Sequence, residues 1–103
     1  MIDVKKAIAI TIKTGRVLFG GNNATKAART GKAKLIIVAT NCPQHIHEDI
    51  EYYCRLSRIP IIVYDGTSVD MGVVCGKPFM ISALTIRDVG DSDILKLTEA
   101  ENV

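Results

Sequence analysis

The run Gly20-Gly21-Asn22-Asn23-Ala24-Thr25-Lys26 places two glycines, two side-chain amides and a lysine within one short stretch. It follows a strand-like segment, Arg16-Val17-Leu18-Phe19, and opens a helix-like segment that closes at Gly31. These residues therefore fall where backbone N–H groups point out of a helix start. Such an end attracts phosphate through its unpaired donors and its partial positive charge. Asn22 and Asn23 add amides that both donate and accept, as contact with a base edge requires. Asparagine is also a preferred helix N-cap, so either residue has a purely local reading as well.

Two further segments carry similar chemistry. Thr40-Asn41-Cys42-Pro43 follows an apolar run, and Gly76-Lys77-Pro78-Phe79 precedes another. Asn41 offers an amide, Lys77 a charge for phosphate and Phe79 a ring on which a base can stack. Alone, Asn41 also reads as a turn or cap residue, Phe79 as the edge of a core and Lys26 as a surface lysine. No paired titratable groups or activated nucleophile accompany these segments. G-x-G-x-x-G and G-x-x-x-x-G-K-[ST] are absent, which disfavours a dinucleotide or P-loop site. Cys42-x-x-His45-x-His47 lacks the second ligand cluster that a structural zinc requires, and Cys42 lacks an evident base. No metal, cofactor or catalysis is expected.

The elements that would position these residues alternate along the chain. Val4, Ala7, Ile8, Thr11 and Ile12 follow i, i+3, i+4 spacing up to Thr14-Gly15, which predicts an amphipathic helix. A strand over 16–19 and a helix capped by Asn22 or Asn23 and stopped by Gly31 come next. Lys34-Leu35-Ile36-Ile37-Val38-Ala39 reads as a strand covered on both faces. A helix from Pro43 to about Ser57 turns Ile46, Ile50, Tyr53 and Leu56 inward, with His45 and His47 on its exposed first turn. Further expectations are a strand over 59–64 and a short helix capped by Thr67 or Ser68 and ending near Cys75. A strand over 80–86, a turn over 88–91 and a weak helix or frayed tail from Ser92 complete the chain. The order α-β-α-β-α-β-α-β implies a three-layer α/β/α sandwich around a small four-stranded mixed, or mostly parallel, sheet. In such a fold the loops at one sheet edge converge, which would bring the three segments together.

Composition agrees with one domain over residues 1–103: 48% of residues are apolar and 23% charged. No apolar run approaches the roughly 20 residues of a membrane span, and polar residues interrupt the N-terminal apolar positions, as expected of a cytoplasmic protein. Three cysteines without a C-x-x-C pair suit a reducing compartment. The net charge is only +2, yet residues 1–34 hold eight basic residues against Asp3. The remainder holds five against ten acids. A basic half joined to an acidic half points to a polyanion partner, although solvated helix faces carry lysines too.

Gly20, Asn22 and Lys26 at their spacing resemble the kink-turn RNA-binding family of ribosomal proteins L7Ae and L30e. The following Gly31-Lys32-Ala33-Lys34-Leu35-Ile36-Ile37-Val38-Ala39 resembles that family's helix exit and second strand. Glu48-Asp49-Ile50-Glu51-Tyr52-Tyr53, Arg55-Leu56-Ser57, Ile59-Pro60, Gly66-Thr67-Ser68 with Gly72, Gly76-Lys77-Pro78 and Ser82-Ala83 extend the likeness to its archaeal large-subunit branch. The resemblance implies a non-catalytic component of the large ribosomal subunit that binds a kink-turn in ribosomal RNA, monomeric when free and possessed of neighbouring ribosomal proteins. It assigns RNA contacts to Gly20, Gly21, Asn22, Asn23, Lys26, Asn41, Lys77 and Phe79, the last stacking on an extruded base. Asn23 stands where family members serving several kink-turns carry glutamate, which implies a narrower set of RNA targets. The alternative within RNA binding is a kink-turn-binding subunit of a box C/D-type modification or RNA-processing particle, and the alternative of a different class is a small-molecule-binding or enzymatic α/β domain.

Overall fold

The structure is a computed structural model and describes residues 4–90 together with 92 and 94. Apart from Ser92 and Ile94, the expected tail helix lies outside the described residues. The elements are α1 (Val4–Thr14), β1 (Arg16–Phe19), α2 (Gly21–Thr30), β2 (Leu35–Val38), α3 (Gln44–Ser57), β3 (Ile61–Val63), α4 (Ser68–Val74) and β4 (Ala83–Asp88). The strands form one sheet in the order β1-β4-β2-β3. β2 and β3 pair in parallel, whereas β4 runs antiparallel to both β1 and β2. The sheet is thus mixed.

The alternating pattern alone leaves open a mostly parallel sheet; the pairing of β4 antiparallel to both β1 and β2 settles it. The chain re-enters the sheet from the edge at which β3 leaves it. Three strands consequently end, and one begins, at the same edge.

β2 shows how the sequence builds the three layers. Leu35, Ile37 and Ala39 pack with Ala7 and Ile8 of α1, Met71 of α4 and its C-cap Cys75 on one face. Ile36 and Val38 pack with Ala24 and Ala28 of α2 and Ile50 and Cys54 of α3 on the other. Residues 35–39 are wholly buried, each large aliphatic side chain contributing about 1.5–3 kcal/mol. At the C-terminal end Ser92 Oγ donates to the Ala7 carbonyl over 2.9 Å, and Ile94 is buried in the α1–α4 layer.

Strand bounds differ from sequence expectation at the ends. Pro60 and Ile59 precede β3 rather than opening it, and residues 80–82 precede β4. In each case the apolar run is longer than its ladder, because Ile59 and Ile81 are buried outside the strands.

Candidate nucleic-acid interface

The helix start at residues 20–26 is built differently from the sequence expectation. Neither asparagine caps α2. Gly20 is the N-cap, at φ 103 and ψ 155, and no side chain bonds to the helix start. That conformation is open to glycine and strained for other residues. The Gly20 N–H donates to the Ala83 carbonyl over 2.9 Å, fixing the turn to β4. The first helical hydrogen bond runs from Ala24 to Gly20, so the N–H groups of Gly21, Asn22 and Asn23 have no acceptor within the helix. Gly21 is buried, whereas Asn22, Asn23 and Lys26 are exposed. Positions 22, 23 and 26 share one helix face, with Arg29 a turn further along. Asn23 donates its Nδ2 hydrogen to the Phe19 carbonyl over 2.8 Å. Its Oδ1 is then the atom left to accept.

Phe19 links the first loop to the third. The Phe79 ring meets it edge-on, with centroids 6.2 Å apart and planes at 81°. Lys77 Nζ lies 5.3 Å from the Phe19 ring centre, a cation–π distance. Phe79 nevertheless keeps 52% of its surface exposed, so a ring held along one edge still offers a face for stacking. Gly72 in α4 is what allows this approach, because a Cβ there would strike the Phe79 carbonyl.

The second loop is anchored from both sides. Ala39 donates to the Ser82 carbonyl over 2.9 Å, while Thr40 donates through both N–H and Oγ1 to the Gly66 carbonyl. Asn41 is exposed but does not cap α3, whose N-cap is Pro43. Its Oδ1 instead accepts the Ser68 N–H over 2.7 Å, at the start of α4. The Ser68 carbonyl accepts from Ile81 over 3.0 Å. One residue thereby joins the second loop to the exit of the third.

Of the eight residues selected from sequence, Gly20, Asn41, Lys77 and Phe79 lie in loops at one sheet edge, and Gly21, Asn22, Asn23 and Lys26 lie in the first two turns of α2, which starts there. Phe19 was missed as a positioning group; an aromatic residue directly before two glycines was the available signal. The turn at 66–68 was also missed as part of this edge, because its bonds to Thr40 and Asn41 join residues far apart in the chain.

The same geometry speaks against a thiol enzyme. Cys42 is buried, and burial pushes its thiol pKa up, opposite to the shift that activates a nucleophile. Among the described residues no group of three His, Cys, Asp or Glu side chains gathers as metal ligands. His45 is exposed, while His47 is half-buried with Nε2 3.0 Å from Glu51 Oε1.

Comparison with known proteins was consistent across sequence and structure. Residues 2–96 match the model of the "Ribosomal protein L7Ae/L30e/S12e/Gadd45 family". A protein named large ribosomal subunit protein eL30 from Methanothermobacter thermautotrophicus is 45% identical over 96 residues, covering 93% of this chain and 98% of that one. Its namesake from Methanobrevibacter smithii is 46% identical over 95 residues, covering 92% and 96%. A solved structure of a protein of unknown function from Bacillus halodurans C superposes with a TM-score of 0.80 over the whole of both chains. At 20% identity it shares the fold.

Proposed function

This chain belongs to the ribosomal protein L7Ae/L30e/S12e/Gadd45 family, and on that premise we propose that it is a non-catalytic component of the large ribosomal subunit, cytoplasmic with the ribosome, that binds a kink-turn of ribosomal RNA. The observation that carries this reading is the uncapped start of α2 beside an exposed Phe79, both held on one sheet edge. The unpaired N–H groups of residues 21–23 and the positive end of the helix receive phosphate or a base edge. Asn22 and the Oδ1 of Asn23 read base edges, and Lys26 and Lys77 neutralise phosphates. Phe79 stacks on a base turned out of the helix, the form in which proteins read RNA sequence most readily. Asn41 lends its amide from the second loop while its Oδ1 holds α4 in place.

Lys26→Ala and Phe79→Ala test the assignment in a salt titration against a kink-turn RNA. The first should flatten the slope of log affinity on log salt by about one unit. Loss of stacking in the second should cost about 1–3 kcal/mol, or about 5- to 150-fold in affinity. Unchanged slope and affinity in both variants, with an unchanged melting curve, would overturn the proposal.

A further inference from the structure

The sheet edge opposite the three loops carries a second concentration of charge. Three helices end there, as their connections to the sheet show. α1 passes through Gly15 to Arg16, which pairs with Asp88 at the end of β4. After α2, Lys34 donates to the Ile86 carbonyl over 2.7 Å; after α3, Pro60 accepts from Ile36. Lys13, Arg16, Lys32, Lys34, Arg58 and Arg87 are all exposed at this pole. Asp88 is the carboxylate that faces them among the described residues, and Asp91 and Asp93 follow it in sequence. No described carboxylate forms an ion pair with any of the six.

Fold stability explains only part of this. Cations at helix C-termini offset a partial charge of about half a unit per helix, so three helices account for about one and a half of six charges. Arg16 and Arg87 lie in β1 and β4 and Lys34 directly precedes β2, so none of the three is in the last turn of a helix. Service to the three-loop site is also excluded by distance. β4 separates the poles by about 17 Å for its six residues, beyond the Debye length of about 8 Å at physiological salt. Arg58 is a further sign: it occupies the left-handed C-cap of α3 at φ 58, where glycine is the favoured residue. A charged side chain sits there despite the preference of that backbone conformation.

We propose that this pole is a second RNA contact, which grips the phosphates of a duplex segment while the three loops hold a kink-turn, so that the protein ties two RNA segments together. Phosphate backbone rather than an acidic protein is the partner that fits. Protein interfaces are depleted in charge at their centre, whereas here Arg29 and Arg55 in the last turns of α2 and α3 add to the six cations, with Leu56 as a large exposed apolar neighbour in the last turn of α3. Spread single-sign charge without aromatic residues is the footprint of sequence-independent backbone binding.

The test uses the full chain carrying Lys34→Gln, Arg58→Gly and Arg87→Gln together, with a plain RNA duplex and a kink-turn RNA as probes. The expected result is a ternary complex in the unaltered protein, with the duplex joining protein already saturated with kink-turn RNA. The triple variant should bind the duplex on the order of tenfold more weakly, with a salt slope shallower by about three, and keep its kink-turn affinity within about threefold. Lys26→Ala with Phe79→Ala should do the reverse. Duplex binding that survives the triple substitution, competes with kink-turn RNA or falls below that of a polyglutamate peptide would overturn the proposal. The duplex arm needs no kink-turn RNA, so it decides this pole even if the three-loop assignment fails.

Discussion

Thr85 and Thr11 are both wholly buried, yet their hydroxyls stand in opposite positions. Thr11 Oγ1 donates to the Ala7 carbonyl over 2.8 Å, whereas Thr85 Oγ1 has no partner. An unsatisfied buried hydroxyl costs about 1–3 kcal/mol, and a valine of the same shape removes that cost. Thr85→Val should therefore raise the urea midpoint by the equivalent of about 1 kcal/mol, and Thr11→Val should gain less. Equal shifts in the two variants would contradict this account. At the same scale, the sequence identified the amides of the candidate site but not their partners. Asn41 bonds to Ser68, across 27 positions, and no local pattern signals such a contact. Asn23 bonds only four residues back, to Phe19, but asparagine's general preference for N-cap positions concealed it. The cap went to Gly20 because the turn into α2 requires a positive φ there.

Elements were legible where local chemistry sets their limits. Thr67 and Asp70 form the reciprocal pair expected of a capping box: Asp70 N–H donates to Thr67 Oγ1, and Thr67 N–H to Asp70 Oδ2. In a helix of only seven residues the loss of one cap is a large fraction of its stability. Thr67→Ala should cost about 1 kcal/mol, read from denaturation, and should weaken kink-turn binding slightly through Ser68 and Ile81. The C-cap of α3 predicts the opposite sign. Arg58→Gly relieves a left-handed residue and should add about 0.5–1 kcal/mol, less the entropy glycine gains when unfolded. A loss of stability would show that the Arg58 side chain supports the fold. The direction of β4 was not legible, because it is set by its pairing with β1 and β2, contacts between elements that no single window contains.

At the scale of the molecule, the three thiols divide between the two core layers on either face of the sheet. Burial pushes the Cys54 and Cys75 thiols up to about 11, Lys77 slightly opposing the shift for Cys75. Unfolded thiols ionise near the ordinary 9.0, so between about 9 and 11 the unfolded chain loses protons that the folded chain keeps. Stability should be level below that window and fall as pH rises through it. Tyr64, held up mainly by burial and then by Asp70, adds in the same direction. A midpoint that stays flat to pH 11 would contradict the tight burial of these groups. The central claim is that the three loops at one sheet edge bind a kink-turn, and it is tested most directly by RNA shape. The protein should be titrated against a kink-turn RNA and against the same RNA with its sheared G·A pairs replaced by Watson–Crick pairs. The account predicts a clear preference for the kinked RNA that Phe79→Ala reduces by about 5- to 150-fold; equal affinity for the two RNAs would contradict it.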